Sequence, residues 1–226
     1  MVRSVAMIKG NKKLTVALII YYVLLFAVWG IFTLTAEKAI TERMGDPGAE
    51  IFIQLVVKTI IWTVPALILI KHFDSSLEVP VKEMSGFRKG WKTFFIVFAA
   101  MTAYILILSF KGQNGMRISG NVPANILIFL FVGIGEEIVF RGWLLNASVR
   151  REKPAVPIAV NALMFLAIHF PKWIINGVFL SNMLHFGFVT IIVLSVLFSL
   201  VFLRTRNILI PVILHFWWDL LVTLLL

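Results

Sequence analysis

The sequence predicts an all-α fold: a polytopic bundle of about seven membrane-spanning helices, forming a single membrane domain over residues 1–226. Three observations carry that prediction. The 226 residues are 60% hydrophobic and only 14% charged, with a mean hydropathy of +0.97, whereas soluble domains average about 25% charged. Seven apolar runs each have the ~20 residues that a helix needs to cross a ~30 Å hydrocarbon core. Lysine and arginine also alternate in number between successive connecting segments, as repeated crossings require.

The first run, 14–35, is too long for a signal-peptide core and lacks a small-residue cleavage site, so it is read as a span. The second, 51–71, carries Lys58 seven residues in, a position from which a lysine can snorkel or pair with a carboxylate; a structural role is the expectation. Segment 72–90 follows, with Asp74, Ser75, Ser76, Pro80 and Gly86, and reads as an amphipathic cytoplasmic loop. The third and fourth runs are 91–110 and 122–147. The fifth, 154–170, leads into 170–184, where Pro171, Trp173 and Gly177 indicate an interfacial or re-entrant helix. The sixth and seventh are 183–203 and 207–225.

Counted over alternate connecting segments, fourteen Lys and Arg fall on one side and five on the other, with Lys58 and Arg141 inside spans. The positive-inside rule then places the N-terminus in the cytoplasm and the C-terminus outside the cell membrane. The net charge of +10 is scattered among these flanks, which fits anionic lipid headgroups and argues against nucleic acid as a partner. The absence of cysteine excludes disulfides, thiolate metal ligands and a cysteine nucleophile. Asn146-Ala-Ser148 matches a glycosylation sequon but falls on the cytoplasmic side and is discounted. His72 and His185 lie at span ends, where solvation is expected, and part of the Trp and Tyr set fits interface anchors. No HExxH, GxSxG or Walker loop is present.

The polar residues inside the spans carry the chemistry. Glu136 and Glu137 lie in the apolar fourth span, where each charge costs roughly 2.5–3.5 kcal/mol at the membrane centre. Glu137 and Arg141 are four apart and share a helix face, so they can pair. Glu136 is turned by about 100° and is left free for chemistry. Gly133 and Gly135 allow a second helix to approach closely. Phe165 and His169 share a face of the fifth span, and His215 and Asp219 a face of the seventh. Such groups need partners in hydrocarbon, and the simplest arrangement is one polar pocket between the fourth, fifth and seventh spans.

Two chemistries fit these residues. Glu136, His169, His215 and Asp219 are candidate ligands for zinc or another divalent cation with a position left for water. Equally, Glu136 acts as general base with His169 orienting the attacking water, without metal. Depth is a point of tension: at 1.5 Å per residue Glu136 and His215 fall ~10–12 Å below the cytoplasmic edge, but His169 falls near ~22 Å. The fifth helix must therefore start below the interface or tilt.

The run Glu136-Glu137-Ile-Val-Phe-Arg141 resembles the EExxxR signature of the CAAX-protease and bacteriocin-processing (Abi) family of intramembrane metalloproteases. Phe165-Leu-Ala-Ile-His169 resembles its FxxxH motif, and His215-Phe-Trp-Trp-Asp219 its HxxxN/D motif. The resemblance covers residues 120–222 as a catalytic core. It implies an endopeptidase cleaving a peptide or lipid-anchored protein tail at the bilayer. Glu136 and His169 would activate water, Glu137, Arg141 and Phe165 would support them, and His215 with residue 219 would stabilise the oxyanion. Asp219 stands where prenyl-protein proteases carry an amide, and an ionised Asp cannot donate to an oxyanion. The competing readings are a non-catalytic bacteriocin self-immunity or scaffold protein and a proton-coupled transporter.

Overall fold

Helix dominates because the chain has almost no other way to satisfy its backbone in hydrocarbon, and no strand occurs among the described residues. The structure is a computed structural model that describes residues 12–86, 90–112, 118, 120–150 and 152–226. Arg3, Lys9, Arg88, Lys89, Arg117 and Arg151, used above in the charge count, lie outside the described residues. The helices are α1 (Lys12–Thr35), α2 (Glu37–Met44), α3 (Gly48–His72), α4 (Val81–Met84), α5 (Trp91–Lys111) and α6 (Val122–Ser148). They continue with α7 (Ala155–Ala167), α8 (Phe170–Ile175), α9 (Phe179–Leu184), α10 (Gly187–Thr205) and α11 (Leu209–Leu225). Among the described residues six helical stretches are long and apolar enough to cross a membrane, with α7 and α8 together forming one of them, and α11 is a shorter apolar seventh. The chain is a multi-pass membrane protein.

Helix α6 begins where local chemistry says it should. The Asn121 side chain accepts from the Ala124 amide at 3.2 Å, and Pro123 occupies the first turn, where its missing N–H costs nothing. The close approach expected from the glycines occurs on α11: a Cβ on Gly133 would stand 2.9 Å from the Val212 carbonyl oxygen and 3.2 Å from the Phe216 amide. Gly133→Ala should therefore force α6 and α11 apart and lower stability by about 1–3 kcal/mol, read as an earlier unfolding midpoint in detergent micelles.

Two helices depart from the regular 3.6-residue period. Residues Ile53–Val57 and Thr59–Thr63 of α3, and Ile138–Leu145 of α6, wind as wide π-helical turns. The Lys58 amide reaches the Ile53 carbonyl and the Val64 amide that of Thr59, five residues back in each case. In α3 the widening lies just before Pro65, which lacks the N–H for a regular turn. Side chains stitch these turns to their neighbours: Tyr21 donates to the Trp62 carbonyl at 2.7 Å and Asn161 to that of Phe140 at 2.9 Å.

The fifth span does not run to 170 as one helix. Helix α7 ends at Ala167, and α8 and α9 follow as two short helices joined through Gly177, whose φ of 69° suits a residue without a Cβ. Lys172 on α8 pairs with Glu37 at 3.0 Å and Glu50 at 3.4 Å, fastening this corner to α2 and α3.

Residues 72–86, the described part of this connection before residue 90, are more ordered than an amphipathic loop. Val79 is buried, and its N–H and C=O bond to the Asn146 side chain at 2.7 and 2.8 Å. Asn146 is itself fully buried, so the sequon asparagine is a tether with no exposed amide for a glycan. Arg206 completes the clamp through Glu83 at 2.6 Å and the Glu78 carbonyl at 2.8 Å. Trp62 and Trp143, which would serve as interface anchors if they faced the headgroups, are instead fully buried in the core. His72 and His185 are exposed at helix ends, as their positions predict.

Candidate active site

The fourth, fifth and seventh spans do meet around one buried polar cluster. Glu137 is fully buried on α6, and its Oε1 accepts from two donors: Arg141 at 2.9 Å and the His215 Nδ1–H of α11 at 2.7 Å. The i,i+4 pairing of Glu137 with Arg141 is as the spacing predicts. The other guanidinium nitrogen of Arg141 donates to the carbonyl and the hydroxyl of Ser195 on α10, each at 3.1 Å. Phe165 and Phe198 cover the guanidinium, with ring centres 4.8 and 5.5 Å away. Such a charge, sealed between aromatic faces and hydrogen-bonded, is a structural anchor.

His215 is the hub. Its Nε2 lies 3.8 Å from Glu136 Oε2 and 3.4 Å from Asp219 Oδ2, and its ring stacks on Phe198. His169 sits at the break between α7 and α8, where its Nδ1–H donates to the Phe165 carbonyl at 2.7 Å. That bond fixes the tautomer and leaves Nε2 as the free acceptor. The Phe165 ring stands between the two imidazoles, 5.1 Å from His169 and 6.1 Å from His215.

One expectation is corrected. Glu136 is not free: its Oε1 accepts from the Lys58 ammonium of α3 at 2.6 Å, with both side chains buried. Lys58 lies under the Trp62 ring at 4.5 Å and near that of Trp29 at 5.7 Å. The pairing was invisible to helical-face reasoning because the wide turns on either side of Lys58 rotate its face. A buried lysine in a span and an unmatched carboxylate in another were the signal that could have found it. Lys58 thus joins the cluster from a helix outside the three motifs.

The carboxylates of the cluster are already partly engaged. Among the described residues no group of three or more His, Asp and Glu side chains is arranged to hold a metal. Glu136 Oε1 already faces an ammonium, and Glu137 Oε1 a guanidinium and an imidazole. What the cluster offers is a carboxylate with one oxygen turned toward an imidazole, a second imidazole with a free acceptor nitrogen, and two fixed cations. That combination suits moving a proton from water under a polarised carbonyl.

Residues 118–221 match the family described as Type II CAAX prenyl endopeptidase Rce1-like. The matched stretch contains all of α6, α7 and α10 and most of α11, and with them the Glu136, His169 and His215 motifs. No curated protein and no solved structure matches the chain.

Proposed function

Because residues 118–221 match the Rce1-like type II CAAX prenyl endopeptidase family, we propose that this protein is an intramembrane endopeptidase of the glutamate type. Its substrate is a peptide or lipid-anchored protein tail that enters from the cytoplasmic side of the cell membrane. The N-terminus is then cytoplasmic and the C-terminus outside, the bilayer is a constant partner, and nucleic acid is not one. The supporting observation is the Glu136 carboxylate 3.8 Å from the His215 Nε2, with the Phe165 ring packed against both imidazoles.

In this reading Glu136 Oε2 takes a proton from water while His169 Nε2 accepts a hydrogen bond from the O–H that remains and so orients the oxygen. The new hydroxide adds to the scissile carbonyl, whose π pair moves onto oxygen. On collapse the C–N bond breaks, and the leaving amine takes the proton back from Glu136. Glu137 and Arg141 hold His215, and Asp219 fixes the ring from its other nitrogen. Three carboxylates against Lys58 and Arg141 leave one negative charge, which one protonated imidazole balances in a dry pocket.

The test is cleavage of prenylated and unmodified C-terminal peptides by the purified protein in nanodiscs, read by mass spectrometry. Cleavage is expected to fall about 10²-fold or more in His169→Ala. Equal cleavage by both proteins would remove His169 from the reaction, and no cleavage of any peptide alongside pH-driven solute flux would favour a carrier. A chelator is expected to leave the rate unchanged. Activity lost to the chelator and restored by zinc would overturn the metal-free part.

A further inference from the structure

Lys58 lies outside the three motifs, yet it makes the shortest contact to the carboxylate that matters most. The geometry points to Lys58 as the donor that stabilises the tetrahedral oxyanion, held on Glu136 before reaction and released to the substrate as Glu136 becomes neutral. The inference rests on the endopeptidase reading and deepens it.

The argument begins with the donors left over. An oxyanion formed beside Glu136 needs a preorganised donor or cation. Arg141 gives Nη1 to Glu137 and Nη2 to Ser195, and its unpartnered Nε–H is sealed inside a fully buried side chain, out of reach of an entering carbonyl. His215 gives its Nδ1–H to Glu137, and its Nε2 faces the Asp219 carboxylate at 3.4 Å. His169 spends its Nδ1–H on the Phe165 carbonyl. Asp219, when ionised, only accepts. Lys58 remains, with three N–H groups of which one contact, to Glu136 Oε1 at 2.6 Å, is accounted for.

Charge then does the switching. Before reaction the ammonium and the carboxylate neutralise each other in a buried site, which is the condition under which both can be charged there. Transfer of the water proton to Glu136 leaves a neutral acid, and the negative charge reappears on the former carbonyl oxygen. Lys58 keeps its proton throughout, and its attraction passes from Glu136 to the oxyanion. When the oxyanion collapses and the amine takes the proton from Glu136, the original ion pair returns. The Trp62 and Trp29 faces hold the cation at 4.5 and 5.7 Å and keep it from following the charge away from the site.

The experiment compares wild type, Lys58→Met and Lys58→Arg on one cleaved peptide in nanodiscs, with kcat and KM determined separately for folded protein. Lys58→Met is expected to lose about 10²-fold or more in kcat with KM changed less than about threefold, since the contact is made in the transition state alone. Lys58→Arg, which keeps the charge, is expected to recover at least about tenfold of that loss. A Lys58→Met kcat within threefold of wild type would overturn the inference while leaving the endopeptidase reading intact. A loss confined to KM, or an Arg variant as slow as the Met variant, would likewise overturn it. If Lys58→Met fails to fold, Lys58→Gln, which can still donate to Glu136 but carries no charge, supplies the same comparison. A wild type that cleaves no peptide sinks the underlying reading instead.

Discussion

Glu136→Gln is expected to slow peptide cleavage by about 10²–10⁴-fold, the range that a positioned general base contributes, while the protein still inserts and folds. The amide keeps the size of the side chain, and its oxygen can still accept from Lys58, so packing around the site is conserved. What it removes is the basic oxygen turned toward His215 at 3.8 Å. The measurement is kcat on a cleaved peptide, with the unfolding midpoint of each variant as the control. A Gln variant that cleaves at the wild-type rate would mean the water is activated elsewhere. A Glu136→Ala variant that restores the cellular role of a deletion strain would point to the non-catalytic immunity reading.

Arg141→Met is expected to lower stability by about 3–5 kcal/mol, the cost of removing one partner from a buried ion pair. Glu137 and Arg141 are both fully buried, so the carboxylate left behind cannot reach water. The variant also loses two contacts to Ser195 and thereby the tie between α6 and α10. The Met side chain replaces much of the packing against Phe165 and Phe198, so the loss isolates the charge. Arg141→Met combined with Glu137→Gln should recover a large part of the stability, since no uncompensated charge remains. Equilibrium unfolding in mixed micelles separates the two. A single variant as stable as the double would show that Glu137 draws its compensation from His215 alone.

The two expectations differ in kind. Glu137 and Arg141 build the site, and their loss is felt in the fold. Glu136 works at the pocket's open oxygen, and its loss is felt in the rate. The adjacent carboxylates differ because consecutive helical residues point about 100° apart, which puts one toward Arg141 and the other toward α3.

Much of this was legible before any coordinates. The spans follow from hydropathy and length, and the Glu137–Arg141 pair from a four-residue spacing that survives even as α6 widens. The approach of Glu136 to His215 follows from the cost of a lone polar group in hydrocarbon. Three things were not legible. The fifth span breaks after Ala167, the stretch around Glu78 and Val79 is pinned by Asn146 and Arg206, and Tyr21 and Asn161 bond the carbonyls of wide turns. Each rests on a contact between residues far apart in the chain.

By itself the sequence determined that this is an all-helical membrane protein with acidic, basic and imidazole groups in one pocket, because hydrophobic length and the expense of intramembrane charge are local properties. Only the tertiary structure decided which charge meets which. Lys58 and Glu136 are 78 residues apart, and the π-helical turns around Lys58 depend on how α3 packs, so no periodicity in the sequence could aim that ammonium at that carboxylate.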